Sequence, residues 1–170
     1  MSKDVHWIEG PWKGRLAIVQ RPRGGDWLED EVRRWKQSGL QVVVSLLVPD
    51  EDVHFQLERE KAVCEANAMR FVSYPIADRG VPQSPDATVS LVQELERELE
   101  GGKSVGVHCR QSIGRSALIA ACVMVAAGKE PDEAFEIISA ARGLPVPETN
   151  EQREWVRRFA RQLAGTLAGV

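Results

Sequence analysis

Runs of apolar residues along the chain predict the strands of a central sheet. Gln41–Val48 is almost unbroken and rich in β-branched residues, which is typical of a strand buried on both faces. Shorter runs predict strands at Leu16–Val19, Arg70–Tyr74 and Ser104–His108. A short aromatic segment before the turn at Gly10-Pro11 is expected to pair with Leu16–Val19 as an antiparallel unit at the edge of the sheet.

Apolar residues spaced three and four positions apart predict helices between these strands. Asp26 with Glu29 three residues later resembles a capping box, and Gly39 is suited to end that helix. The acidic segment Pro49–Asp52 is predicted to be a loop, and a helix is expected from Phe55 to Asn67. Four further helices are predicted to begin near Ser84, Arg115, Pro131 and Asn150.

The alternation of strands and helices predicts an α/β fold, a three-layer αβα arrangement with a mostly parallel central sheet. We expect residues 1–170 to form a single domain, because 170 residues suffice for one sizeable core and nothing resembles a linker. The carboxyl ends of parallel strands gather the loops that begin near Pro49, Pro75 and Cys109. Ligands bind at that edge of open α/β sheets, so we expect the functional site there.

Composition and charge exclude several classes of function. A net charge of −3 leaves no global basic field, so a nucleic acid is not expected as a partner. No apolar stretch reaches the ~18 residues of a membrane span, and the first residues lack the apolar core of a signal peptide. Three cysteines without a Cys-x-x-Cys pair predict neither a disulfide framework nor a zinc site. We therefore expect a cytoplasmic protein without a metal or other cofactor.

The segment Val105–Ser116, VGVHCRQSIGRS, concentrates the candidate chemistry. A buried strand, a short loop and a helix N-terminus in this order form an anion cradle, because backbone N–H groups and the helix dipole converge on one point. Cys109 at the mouth of this cradle is expected to ionise readily and act as a nucleophile. Arg115 presents a planar fork of donors that suits two phosphoryl oxygens. The predicted phosphate-binding residues are Arg110, Gln111, Ser112, Ile113, Gly114 and Arg115.

The run His108–Ser116 resembles the signature loop of the cysteine-dependent protein phosphatases: His-Cys, five residues, Arg and Ser or Thr. The wider chain is similar to their small dual-specificity branch, over roughly Ile8 to Leu163. The resemblance implies the three-layer fold, a cysteinyl-phosphate intermediate and a phosphorylated protein or peptide as substrate. One departure is Ser112: if the loop needs a positive φ there, serine is strained where glycine would not be.

The resemblance also implies roles for three further residues. His108 is expected to lie buried beneath the loop, where it orients the loop and tunes the thiolate. The Ser116 hydroxyl can donate to the thiolate and make cysteine a better leaving group, although serine is also an ordinary helix cap. Asp78, on a glycine-containing loop 31 residues before Cys109, matches the place of the general acid. Its rivals as the acid are Asp86, in the first turn of a helix, and the acidic pair Asp50 and Asp52.

Two residues have a structural and a functional interpretation each. Cys64 falls in a predicted helix and is either a small core residue or a resolving thiol for an oxidised Cys109. Gln152 either caps a helix with Thr149, in the pattern Thr-x-x-Gln, or orients an attacking water.

The leading hypothesis is a phosphatase for phosphotyrosine, phosphoserine or phosphothreonine in proteins. A rhodanese-like sulfurtransferase is an alternative, since it too uses one loop cysteine. A module that binds phosphoproteins without turnover is a second alternative. The sequence does not indicate the oligomeric state.

Overall fold

The central sheet has five strands in the described part of the chain. The computed structural model describes the backbone of residues 4–168 and the side chains of residues 4–165. The strand order is β1-β2-β5-β3-β4, and β1 alone runs antiparallel to its neighbour. This confirms the mostly parallel sheet and the antiparallel unit at its edge. The strands are β1 (Val5–Ile8), β2 (Leu16–Val19), β3 (Val42–Ser45), β4 (Arg70–Ser73) and β5 (Val105–His108).

Helices cover both faces of this sheet, which confirms the three-layer αβα fold. One apolar core lies against α1 and α3, and a second, larger core lies against α4 to α7. Helix α5 is buried along nearly its whole length between its helical neighbours and the sheet. The helices are α1 (Leu28–Ser38), α2 (Pro49–His54), α3 (Glu60–Ala66), α4 (Pro85–Glu100), α5 (Arg115–Ala126), α6 (Pro131–Arg142) and α7 (Asn150–Ala168).

The start of α1 differs from the prediction. Asp26 lies in a 3-10 turn, Gly25–Trp27, and no side chain caps either this turn or α1. The capping box expected from Asp26 and Glu29 is therefore wrong, because the turn supplies the entry into the helix instead. The predicted end is correct: Gly39 follows the helix with a φ of +103°, which favours glycine.

The segment after β3 differs most from the prediction. The strand ends at Ser45 rather than Val48, and the predicted acidic loop is the helix α2. Pro49 occupies the first turn of α2, and the Glu51 carboxylate accepts a hydrogen bond from the Val48 N–H at 3.1 Å. Valine carries no capping oxygen, so the usual polar signal for a helix start is absent from the sequence.

The helix predicted from Phe55 begins only at Glu60. Gln56 has a φ of +56°, which is incompatible with a continuing helix. Its carbonyl instead accepts a hydrogen bond from the Gly25 N–H at 3.0 Å. A Cβ at Gly24 would lie 2.0 Å from the Phe55 carbonyl oxygen, so only glycine allows this close approach. Tertiary packing against the Gly24–Gly25 turn therefore delays the helix.

The position of β5 at the centre of the sheet places the loop that follows it. Val107 of β5 pairs with Ile18 on one side and with Val44 on the other. The segments that follow β3 and β4 leave the sheet at the same edge as β5. They therefore lie beside the loop that follows β5. No helix in the described residues is long and apolar enough to cross a membrane.

Candidate active site

The loop between β5 and α5 encloses a small cavity of about 110 Å3. The Cys109 side chain lies at this cavity and is almost wholly buried. A Cβ at Gly114 would lie 3.0 Å from Gln152 Nε2 and 3.2 Å from a Glu148 carboxylate oxygen, so a larger residue there would require these two side chains to shift slightly. The cavity is lined by Asp78, Arg79, Cys109, Arg110, Gln111, Ile113, Gly114, Arg115 and Glu148.

Side chains outside the loop hold its carbonyl groups away from the cavity. Arg142 donates from Nε to the Ser112 carbonyl at 2.9 Å and from Nη2 to the Gln111 carbonyl at 3.2 Å. Arg21 donates to the Arg110 carbonyl at 2.8 Å. In a trans peptide the N–H points opposite to the C=O, so the N–H groups that follow these three carbonyls are directed away from Arg142 and Arg21. These contacts build the anion cradle that the sequence predicts.

Ser112 adopts the strained conformation that its place in the loop implied. Its φ is +59°, in the left-handed region, and its hydroxyl donates to the Val19 carbonyl at 2.6 Å. The side chain is fully buried and does not face the cavity. Serine therefore contributes its backbone to the cradle, while its hydroxyl ties the loop to the end of β2.

Arg115 has the largest buried side chain of the site and is 1% exposed. Its guanidinium donates to both oxygens of Glu51, at 2.7 and 2.9 Å, and to the Ile76 carbonyl at 2.8 Å. Burial opposes the charge of Arg115, but these acceptors outweigh it and raise its pKa. Burial likewise raises the pKa of Glu51, yet the hydrogen bonds from Arg115 dominate and lower it overall. Arg115 is thus a fixed cation.

Asp78 accepts a hydrogen bond from Arg115 at the cavity. Its Oδ1 lies 3.1 Å from Arg115 Nη2, and its Oδ2 lies 3.6 Å from Arg110 Nη1. The Asp78 side chain is 45% exposed, so it can exchange protons with solvent. The Gln152 amide donates to the Gly80 carbonyl at 3.1 Å and thereby anchors this loop.

His108 and Ser116 complete the surroundings of Cys109. His108 is fully buried, and its Nε2 lies 2.6 Å from a Glu60 carboxylate oxygen. The Ser116 hydroxyl is also buried and has no hydrogen-bond partner in the described part of the chain. A buried hydroxyl without a partner is uncommon. Ser116 lies in the first turn of α5 and is not among the residues that line the cavity.

Comparison with known proteins places this loop in a family. Residues 17–129 match the family model described as Tc-R-P, "Polymorphic toxin system, DSP-PTPase phosphatase". This match covers more than half of the chain and includes Cys109, Arg115 and Asp78. The chain belongs to this family of DSP-PTPase phosphatases.

Relatives outside the family model agree with it. The chain is 29% identical over 97 residues to cyclin-dependent kinase inhibitor 3 of Homo sapiens, which covers 56% of this chain and 45% of the relative. It is 23% identical over 143 residues to the Rattus norvegicus protein of that name, covering 83% and 67% of the two chains. The chain thus spans about half the length of the first curated relatives it matches.

Solved structures show the same fold. Kinase-associated phosphatase superposes with a TM-score of 0.86 at 19% identity, over 94% of this chain and 95% of that chain. PTPMT1 gives a TM-score of 0.79 at 19% identity, over 98% and 99%. Tk-PTP in its active form gives 0.76 at 24% identity, over 95% and 99%.

The candidate site contains residues that the sequence reasoning did not single out. Glu51 and Glu60 each pair with a predicted site residue, and Arg142 and Arg21 hold the loop from outside. Glu51 had one signal, the Pro49 start of a helix two residues before it. The other three lie far from the loop in the sequence, and only the fold brings them to it.

The three rival acids do not line the cavity. Asp86 is exposed in the first turn of α4, and Asp50 is exposed on α2. Asp52 lies on α2, where burial, Glu60 and Glu51 raise its pKa to about 6, against His108, which lowers it. Among the aspartates in the described part of the chain, Asp78 alone lines the cavity.

The contacts of Gln152 and Cys64 both agree with the structural interpretation of these residues. Gln152 and Thr149 exchange two hydrogen bonds of 3.1 Å, which confirms the capping box. Cys64 is buried in the core against α1 and α3, while Cys109 belongs to the core on the other face of the sheet. Burial, with Glu60 and Glu65, raises the pKa of Cys64 to about 12.

Proposed function

We propose that this chain hydrolyses phosphomonoesters through a cysteinyl-phosphate intermediate. The observation that carries the proposal is the convergence of Cys109, Arg115 and Asp78 on one cavity lined by loop amides. A nucleophile, an anion clamp and a proton donor are the three groups that the reaction requires.

The first step transfers the phosphoryl group to sulfur. The Cys109 thiolate attacks phosphorus while the bond to the ester oxygen breaks, and Asp78 gives its proton to that oxygen. Loop N–H groups and Arg115 stabilise the charge on the three equatorial oxygens. Because Glu51 fixes the guanidinium at 2.7 and 2.9 Å, Arg115 needs little reorganisation during the transfer.

The second step restores the thiolate. Asp78, now ionised, removes a proton from a water molecule, whose oxygen attacks phosphorus and releases inorganic phosphate. The leaving sulfur takes the electron pair of the S–P bond, and the unpartnered hydroxyl of Ser116 donates to it. The exposure of Asp78 is consistent with a group that both releases and accepts a proton in each cycle.

The proposed substrate is a phosphorylated protein or peptide, as the family description and the relatives suggest. A cavity of about 110 Å3 accommodates the phosphoryl group and the first atoms of the side chain that bears it. The proposed setting is the cytoplasm, where the three free thiols of a single domain stay reduced. Peptides with phosphotyrosine, phosphoserine or phosphothreonine at one position would rank the substrates.

The decisive experiment is hydrolysis of para-nitrophenyl phosphate in the presence of EDTA. We expect wild-type activity to be abolished by Cys109→Ser and unaffected by Cys64→Ser. Asp78→Asn should slow phenyl phosphate about 100-fold or more, and para-nitrophenyl phosphate less, because a good leaving group needs less help from an acid. The exposed Asp86→Asn is the matched control.

Three outcomes would contradict the proposal. Undiminished activity in Cys109→Ser would exclude that residue as the nucleophile. A folded wild-type protein that binds a phosphopeptide without hydrolysing it would be a recognition module, and a persulfide on Cys109 would indicate a sulfurtransferase.

A further inference from the structure

The buried contact between His108 and Glu60 lies directly beneath the candidate nucleophile. His108 ends β5 and Glu60 begins α3, and their exposed fractions are 0% and 1%. The His108 Nε2 and a Glu60 carboxylate oxygen are 2.6 Å apart, which is the length of a charge-assisted hydrogen bond. The other imidazole nitrogen, Nδ1, lies 3.4 Å from the Cys109 carbonyl oxygen.

The second oxygen of Glu60 makes the pair unusual. It is buried and has no hydrogen-bond partner in the described part of the chain. An ionised carboxylate in that position requires a compensating charge close by, since burial of an unpaired charge is very costly. The imidazole of His108 is the group in contact with it, and it compensates the carboxylate only when both ring nitrogens carry protons.

The groups that neighbouring helices place near His108 are compatible with a protonated imidazole. Helix α1 contributes the ring of Trp35, whose centroid is 5.9 Å from that of His108. Helix α2 contributes Asp52. Burial and the nearby Glu60 raise the pKa of this carboxyl group. Helix α3 contributes Cys64 and Glu65. Burial is the main cause of the raised pKa of the Cys64 thiol, and Glu60 and Glu65 raise it further. A thiol with its pKa raised this far is uncharged at neutral pH, so among these groups it is the carboxylate of Asp52, which interacts with His108, that favours a protonated imidazole.

We infer that Glu60 is a positioning residue for the candidate reaction: it holds His108 as an imidazolium, whose positive charge under the loop stabilises the Cys109 thiolate. The inference rests on the proposed function, because it assumes that Cys109 reacts as a thiolate. In this arrangement Nε2 donates to Glu60 and Nδ1 is directed at the Cys109 carbonyl. The distant helix α3 thereby contributes to the reactivity of a loop on the other side of β5.

The test follows alkylation of Cys109 by iodoacetamide as a function of pH, with mass spectrometry to identify the modified peptide. Glu60→Gln keeps the size and hydrogen-bonding capacity of the side chain but removes its charge. We expect the midpoint of the alkylation profile to rise by about one pH unit, so that at pH values well below both midpoints the rate falls about tenfold. Alkylation at high pH should reach the wild-type rate. Glu65→Gln, exposed on the same helix, is the matched control.

A double-mutant cycle separates this role from a merely structural one. If Glu60 acts through the imidazole, Glu60→Gln should not move the midpoint further in a His108→Asn background. An unchanged midpoint in folded Glu60→Gln would overturn the inference, whatever happened to thermal stability. Neither result depends on turnover, so failure of the proposed phosphatase activity would be recognised separately.

A measurement on the wild-type protein covers the case in which Glu60→Gln does not fold. The chain has three histidines, which makes their 15N imidazole signals assignable. We expect His108 to show two protonated nitrogens at pH 7. A neutral His108 at that pH would overturn the inference.

Discussion

At the scale of single residues, the site combines fixed charges with one free hydroxyl. Arg115 and His108 each have a carboxylate partner, whereas the Ser116 hydroxyl has no partner in the described residues. Paired charges hold a site in place before substrate arrives, and an unpaired donor can bond to a charge that develops only during reaction. A substitution at Ser116 should therefore change the reaction rate while it leaves the stability of the protein nearly unchanged.

Ser116→Ala should slow the breakdown of the phosphoenzyme without destabilising the protein. A hydrogen bond to a charged group contributes about 1.5–3 kcal/mol, so we expect kcat to fall about 10- to 100-fold. Removal of a buried hydroxyl without a partner should leave the melting temperature nearly unchanged. Rapid-mixing experiments with para-nitrophenyl phosphate should show a burst in the variant, and Ser90→Ala on the surface of α4 is the control. A lower rate without a burst would place the effect in the first step.

Asp52→Asn should stabilise the protein at neutral pH. The folded-state pKa of Asp52, about 6, exceeds the ordinary value of 3.8, so the folded state binds the extra proton between these values. Ionisation above pH 6 therefore weakens the wild type, and the asparagine variant escapes this loss. The gain in melting temperature should be present at pH 7 and vanish near pH 3.5. Asp50→Asn, exposed on the same helix, should show no such gain; an equal gain would contradict the explanation.

At the scale of elements, the phosphate loop depends on contacts that other elements make to its outer side. Arg142 of α6, Arg21 after β2 and the carbonyl of Val19 together fix three consecutive residues of the loop. The left-handed backbone at Ser112 persists because these contacts determine it more strongly than the local preference of serine does.

Substitutions at Ser112 should separate backbone strain from the side-chain hydrogen bond. Ser112→Ala loses the bond to Val19 and keeps a side chain in the left-handed region. Ser112→Gly loses the same bond but relieves the strain, so it should be more stable than Ser112→Ala by about 1 kcal/mol. Urea unfolding of both variants measures this difference. Equal stabilities would show that the loop imposes no strain at this position.

The elements also show where the sequence was sufficient and where it was not. Ser84 caps α4 at 3.1 Å and Gly39 ends α1, as their residue types predicted, because caps are local interactions between near neighbours. The 3-10 turn at Gly25–Trp27 and the late start of α3 escaped prediction. Both arise from packing between the Gly24 turn and the segment Phe55–Gln56, which lies about thirty residues away in the chain.

At the scale of the whole molecule, the sheet separates two apolar cores that contain different cysteines. Cys109 belongs to the core on the side of α5, and Cys64 to the core on the side of α1 and α3. A disulfide requires Cα atoms no more than about 7 Å apart with side chains directed at one another. This arrangement, together with the raised pKa of Cys64, disfavours a resolving role for it.

Oxidation should therefore modify Cys109 without forming an internal disulfide to Cys64. After brief treatment with hydrogen peroxide, we expect wild type and Cys64→Ser to lose activity at the same rate and to recover equally with dithiothreitol. Peptide mapping should find sulfenic or higher acids at Cys109. A Cys64–Cys109 disulfide, or slower recovery in the variant, would show that the two thiols meet in solution.

The sequence by itself determined the fold class, the five strands and six of the seven helices in the described part of the chain, and the loop that carries Cys109 and Arg115. These features depend on apolar periodicity and on residues adjacent in the chain. Only the tertiary structure decided that Glu51 holds Arg115, that Glu60 holds His108, and that Arg142 turns the loop carbonyls outward. Such pairs join distant segments, and a charged residue looks the same in a sequence whether it faces water or a buried partner.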